Sequence, residues 1–185
     1  MALPSAQPKP ADTLAAHYQH LLTCPEMIDT RDHLPLFHSL PGRVLEIGCD
    51  CGNSTTAFLA GAADSVTSID INPLCAENFP DSPKWSFILG DSRQKETYNK
   101  VCNQQFDVLY VDGDHTYDGA MSDLLRYSQL VRPGGLVLIH DVLAKDNFPG
   151  VWLAFSCFRG IHPLAVPFSA KYIRPGSYGL GVIEI

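Results

Sequence analysis

Five short apolar runs, Val44–Gly48, Ser65–Ile71, Trp85–Leu89, Phe106–Val111 and Leu136–Ile139, recur along the chain and alternate with stretches of helical patterning. The intervening helices are expected over Thr55–Gly61, Pro73–Asn78, Gln94–Asn103 and Asp118–Leu130. A strand left and re-entered through a helix lies parallel to its predecessor, so the pattern predicts a parallel, doubly wound sheet with helices on both faces. The end of the chain breaks this rule. After a helix around Gly150–Phe158, two apolar strands, Ile161–Phe168 and Tyr178–Ile185, are joined by a link holding Arg174-Pro175-Gly176-Ser177. A link that short cannot hold a crossover helix, so these two strands are expected to be antiparallel neighbours. The expected architecture is an α/β, three-layer sandwich with a seven-stranded, mostly parallel sheet whose last strand is antiparallel.

The 185 residues suit one core. They divide into residues 1–40, a proline-rich arm and a helical lid segment, and residues 41–185, the α/β domain. Within the first part Leu14, Tyr18, Leu21 and Leu22 recur at helical spacing over Ala11–Leu22. A formal charge of −7 argues against nucleic acid held through phosphates and favours a small-molecule partner. No apolar run reaches the roughly 20 residues of a membrane helix, and Met1–Pro10 lacks the order of a secretory signal. No membrane partner and a cytoplasmic location are therefore expected. The six cysteines are scattered without Cys-x-x-Cys pairs, which speaks against a zinc site or a disulfide framework.

Ligands of open α/β sheets bind outside the carboxyl ends of the strands, so the polar residues there are the candidates. They are Glu46 to Asn53, Asp70, Asp91-Ser92, Asp112 to His115, and His140-Asp141. Each end carries an acid. Carboxylates converging on one rim call for a cationic or hydroxyl-rich ligand. Gly48 and Gly52 remove Cβ atoms where the backbone bends or approaches that ligand, and Ser54, Thr55 or Thr56 is expected to cap the following helix. The Gly-x-x-x-Gly spacing lacks the middle glycine of the dinucleotide fingerprint, which argues against nicotinamide or flavin. His17, His20, His33, His38 and His162 match no motif and read as surface or packing residues.

Val44-Leu45-Glu46-Ile47-Gly48-Cys49-Asp50-Cys51-Gly52, with Asp70 closing the second strand, resembles the first two motifs of class I S-adenosylmethionine-dependent methyltransferases. Val111-Asp112-Gly113-Asp114-His115-Thr116-Tyr117, Arg132-Pro133-Gly134-Gly135 and His140-Asp141 resemble their small-molecule O-methyltransferase branch, which includes the antibiotic-sugar methyltransferases and the cephalosporin-hydroxylase-like proteins. The resemblance covers roughly residues 43–142. It implies a Rossmann-like fold, S-adenosylmethionine as cofactor, and contacts to it from Glu46, Gly48, Gly52, Asn53, Ser54, Asp70, Ile71, Asp91, Ser92 and Asp112. Asp70 would take the ribose hydroxyls and Asp91 the adenine amine. In metal-using members the first aspartate of Asp-Gly-Asp and an acidic pair after the fifth strand hold a divalent cation. Carried over, Asp112, His140 and Asp141 are the metal ligands, with His140 standing where the pattern has an acid, and magnesium or manganese as the ion. Asp114 or His115 would be the catalytic base.

These implications describe O-methylation of a small hydroxylated acceptor. The alternative is a non-catalytic module of the same fold that binds S-adenosylmethionine or a nucleoside, with His140 marking a lost metal site. The acceptor would be chosen by the leading segment, the loop Ala144–Pro149 and the connection Phe168–Ser177, where Lys171, Tyr172 and Arg174 could meet it. A chain this compact leaves a shallow acceptor site unless a second subunit covers it, which points to a homodimer.

Overall fold

A computed structural model describes residues 10–24, 28–79, 82–161, 166–168 and 178–185. The arm before residue 10, His162, the Arg174–Ser177 link, Lys171 and Tyr172 lie outside the described residues. The strands are β1 (Gly42–Ile47), β2 (Ala63–Asp70), β3 (Trp85–Leu89), β4 (Phe106–Val111), β5 (Val131–His140), β6 (Val166–Phe168) and β7 (Leu180–Glu184). They form one sheet in the order β3-β2-β1-β4-β5-β7-β6. β1 to β5 pair in parallel, and β7 runs antiparallel to both of its neighbours, as the alternation predicts. The helices are α1 (Pro10–Thr23), α2 (Ile28–Arg31), α3 (Leu34–Ser39), α4 (Asn53–Ala60), α5 (Leu74–Asn78), α6 (Lys95–Asn99), α7 (Tyr117–Tyr127) and α8 (Pro149–Ile161).

Side chains alternate across the sheet with period two, and both faces are buried. From β4, Leu109 and Val111 join Leu124 and Tyr127 of α7 and Phe155 and Phe158 of α8. Val108 and Tyr110 turn the other way, towards Leu14 and Tyr18 of α1, Phe37 of α3 and Phe58 of α4. Phe37 stacks on Phe58 with centroids 4.9 Å apart and packs tilted against Tyr110 at 4.8 Å, which locks the leading segment onto the sheet.

Several boundaries differ from the expectation. Ile161 ends α8 rather than opening a strand. β5 starts at Val131, because the strand runs on through the Pro-Gly-Gly segment, where Gly134 takes φ 77° and its N–H reaches Ile185 O at 2.6 Å. α6 is only five residues long. No serine or threonine caps α4. Its cap is Gly52, left-handed at φ 86°, and the Ser54 and Thr55 hydroxyls point back to Glu46.

The register aligns the strand ends. Ile47 pairs with Ile69 and Val111, Val111 with Ile139, and Asp70 with Leu89. The next residues along, Gly48, Asp112, His140 and Gly90, therefore fall beside Asp70 on one rim. Gly48 has φ 82°, and a Cβ there would lie 2.2 Å from the Asp112 carbonyl oxygen. Gly48→Ala should therefore cost about 3 kcal/mol or more, from backbone strain plus a clash with backbone that cannot yield. Urea unfolding measures it, and a loss under about 1 kcal/mol would show that the two strand ends are looser than this packing implies.

Candidate active site

The rim encloses a cavity of about 940 Å³, a volume near the upper end of small-molecule sites. Gly48, Asn53, Ser54, Asp70, Ile71, Asp91, Ser92, Asp112, Asp114, His115, His140 and Asp141 line it, and Cys24 and Thr30 of the leading segment add to its wall. Most of the residues expected there from the sequence are thus brought together. Glu46 and Gly52 are not on that wall.

Glu46 is fully buried and accepts from the Ser54, Thr55 and Ser68 hydroxyls at 2.5–2.6 Å. These bonds fasten α4 and β2 to β1, so the side chain expected to contact the cofactor is engaged within the protein. Gly52 is likewise explained by its left-handed backbone and by Phe79, whose ring would lie 2.8 Å from an added Cβ. Burial pushes the Glu46 carboxyl up to about 7 against the pull of the hydroxyls. The folded chain then holds this proton more tightly than the unfolded chain, so stability falls as pH rises from 4.5 through 7. Glu46→Gln removes that dependence. Between pH 4.5 and pH 8 the unfolding free energy of the variant should gain on the parent by about 3 kcal/mol. A gap that stays constant across this range contradicts the assignment.

Asp70 organises the glycine loop. Its Oδ2 accepts from the Cys49 and Asp50 backbone N–H groups at 2.8 and 2.9 Å, and its Oδ1 from Asn72 N–H at 2.8 Å. Next to it Ile71 stands 74% exposed, an apolar side chain held at the cavity edge without cover.

Arg93, which the sequence reading passed over, spans the opposite edge. Its guanidinium pairs with Asp91 at 3.2 Å and with Asp114 at 3.2 Å. Asp91 also accepts from the Arg93 backbone N–H at 2.9 Å. Its carboxylate is thus engaged by Arg93, and the adenine contact expected of it has a competitor already in place. Asp114 accepts from Thr116 N–H at 2.9 Å, and Thr116 caps α7. That backbone bond, with Arg93, holds its carboxyl below the ordinary range. A carboxylate so stabilised is a weaker base, which favours His115 of the two candidate bases.

Asp112, His115, His140 and Asp141 meet at the far end of the rim. His115 Nε2 lies 2.7 Å from Asp141 Oδ2 and 3.8 Å from Asp112 Oδ1. His140 Nδ1 is 3.0 Å from Asp141 Oδ1 and 3.5 Å from Asp112 Oδ1. Tyr110 donates to Asp112 Oδ2 at 2.7 Å from inside the sheet. Asp141 has φ 63°, a left-handed conformation that is costly for a side chain and recurs at functional sites. The hydrogen bond to Asp141, then Asp112, raises the His115 pKa against burial. Asp141 is held at about 2 by His115 and His140 despite burial.

One potential ligand atom each from Asp112, His115 and Asp141 lies within 4.8 Å of the others, a spacing that one divalent ion could bridge. The imidazole in this group is that of His115, and His140, the ligand expected from the resemblance, faces the same two carboxylates from within the protein. His140 is instead 3% exposed with Nδ1 turned to both carboxylates. Two carboxylates and an imidazole suit manganese, iron or zinc better than magnesium.

His33 matches no motif and reads from the sequence as a surface or packing residue. It is fully buried, its ring edge-on to His140 with centroids 5.4 Å apart. A lone histidine outside any motif carries no sequence signal for such a place.

A doubly wound sheet with a reversed last strand and a ligand cavity at its carboxyl rim defines the class I methyltransferase fold. A family model described as a methyltransferase domain matches residues 45–142, and the chain belongs to that family. Among curated proteins it is 29% identical over 142 residues to the electron transfer flavoprotein beta subunit lysine methyltransferase of Xenopus laevis, covering 75% of this chain and 55% of that protein. The chain thus spans about half the length of that relative. Among solved structures, cofactor-bound Rv0187 from MTB superposes with a TM-score of 0.68 at 18% identity, covering 96% of this chain and 90% of the other. MycE of the mycinamycin biosynthetic pathway, in complex with Mg, SAH and mycinamycin VI, superposes with a TM-score of 0.59 at 18% identity, covering 97% and 55%. No helix among the described residues is long and apolar enough to cross a membrane.

Proposed function

We propose that the chain transfers the methyl group of S-adenosylmethionine to an oxygen of a small hydroxylated acceptor. The observation that carries this reading is the meeting of His115 with Asp112 and Asp141 at one end of a cavity whose other end is the Asp70-braced glycine loop. The cofactor would lie over Gly48 with its ribose towards Asp70, its adenine against Ile71 and Ser92, and its sulfonium near Asp112. The cavity has room beyond it for an acceptor.

An acceptor hydroxyl is too weak an acid to attack a methyl group at neutral pH without losing its proton. His115 takes that proton, and Asp141 holds the ring and stabilises its charged form. Because the base must be neutral, the raised His115 pKa shifts activity upward, with the acid limb of the pH–rate profile above the ordinary value of 6.5. A limb at or below 6.5 contradicts this role. A divalent ion held by Asp112, His115 and Asp141 would supply Lewis acidity to the acceptor oxygen. The same ion would occupy His115, so base and ligand are competing uses of one ring. Addition of a chelator separates them: loss of activity that manganese restores assigns His115 to the metal, and indifference to the chelator assigns it to the base.

Structural neighbours described as O-methyltransferases, from Bacillus cereus and Staphylococcus aureus, favour oxygen as the acceptor atom. The lysine methyltransferase relative favours nitrogen, and it supplies the second reading to be tested. Methyl-labelled S-adenosylmethionine incubated with hydroxylated small molecules and, separately, with lysine peptides distinguishes them. Label in the first set supports the proposal. Label only in peptides overturns the acceptor, and S-adenosylhomocysteine binding with no transfer to either supports a non-catalytic module.

A further inference from the structure

We infer that His33 is a positioning residue for the centre, partnering Nε2 of His140 and so fixing the His140 ring with Nδ1 towards Asp112 and Asp141. His140 has two chemically different edges. One, Nδ1, faces the carboxylates of Asp141 and Asp112 at ion-pair distances of 3.0 and 3.5 Å. The other, Nε2, is buried and has no hydrogen-bond partner among the described residues. Both ring nitrogens of His33 are in the same condition, and the two rings stand at 81° to each other with centroids 5.4 Å apart. Buried ring nitrogens left unsatisfied are unfavourable and rare. One hydrogen bond between the adjoining rings, made after a small ring rotation or through one enclosed water, satisfies His140 Nε2 and one of the two His33 nitrogens.

His33 belongs to the leading segment. Its backbone N–H bonds to Thr30 O at 3.0 Å, its carbonyl receives Phe37 N–H at 3.1 Å, and Thr30 lines the cavity. The pairing therefore connects the wall built by this segment to the orientation of a ring at the centre. A histidine turned by 180° about its Cβ–Cγ bond would present the Cδ2 carbon to the carboxylates in place of Nδ1, and a partner on each side selects one orientation. The inference stands independently of any methyl transfer.

Imidazole nitrogen and proton resonances of His140, recorded on the full chain without ligands, test it. His33→Phe keeps a ring of similar size in the buried space but removes both nitrogens. The His140 Nε2 signal should then shift by several ppm, or its ring proton should exchange away, while Nδ1 moves less. His33→Gln should retain part of the parent signature. If the phenylalanine variant does not fold, His33→Gln compared with His33→Leu gives the same contrast. His140 resonances identical to the parent in a folded His33→Phe or His33→Leu protein overturn the pairing. In a protein active on an identified acceptor, His33→Phe should lower kcat about tenfold, with S-adenosylhomocysteine affinity within twofold of the parent. An equal loss in cofactor affinity would show a merely structural role.

Discussion

Asp70→Ala is expected to weaken S-adenosylhomocysteine binding by at least about 100-fold, close to 3 kcal/mol at one side chain. Two effects combine. The carboxylate proposed to receive the ribose hydroxyls is lost, and charge-assisted hydrogen bonds of this kind exceed neutral ones. The same carboxylate orders the loop by accepting from Cys49, Asp50 and Asn72 N–H groups. Without it those donors turn to water and the loop no longer waits in its binding shape, so binding must include the cost of ordering it. Asp70→Asn separates the two contributions, because an amide oxygen still accepts but its charge is gone. It should fall between parent and alanine variant. Titration calorimetry on folded protein measures both, and an alanine variant with parental affinity removes Asp70 from the cofactor site.

The second large effect is on turnover. His115→Ala should reduce kcat by about 10²–10⁴, the usual range for loss of a positioned acid–base group, while cofactor affinity changes less than about twofold. His115 is 2.7 Å from Asp141, and its ring packs tilted against Phe148 with centroids 4.4 Å apart, so it is held in place from two sides. Asp141→Asn should reproduce much of the loss and move the acid limb of the pH profile downward, because the hydrogen bond that raises His115 weakens. Asp114→Asn is the contrast. With its carboxylate paired to Arg93 and Thr116, it should retain most of the turnover. Turnover lost in Asp114→Asn but kept in His115→Ala would exchange the two assignments.

What was legible in the sequence follows from the range of the interactions involved. Strand alternation and the reversed end are local patterns, so the sheet could be read before any contact was known. The rim could be read as well, because parallel strands in register bring their last residues together. Glu46 shows where that reasoning stops. A strand-end acid can face the ligand or the interior, and only the Ser54, Thr55 and Ser68 hydroxyls decide. Asp114 and His115 are equally plausible bases until Arg93, arriving from another strand end, neutralises one of them. His33 lies far outside the matched motifs. Its meeting with His140 depends on how the leading segment packs through Phe37, a tertiary fact with no short-range signature. The same holds for Asp123, a buried helix residue that patterning assigns to neither core nor site and whose carboxyl burial pushes up to about 6.

The most direct measurement is calorimetric titration of the protein with S-adenosylhomocysteine and, separately, with NAD, each with manganese or chelator present. The cavity as described predicts a dissociation constant on the order of micromolar for the thioether and no measurable binding of NAD, whose pyrophosphate finds no middle glycine in the loop. Folded protein that binds NAD, or that binds neither compound under any of these conditions, would contradict the assignment of this rim to S-adenosylmethionine.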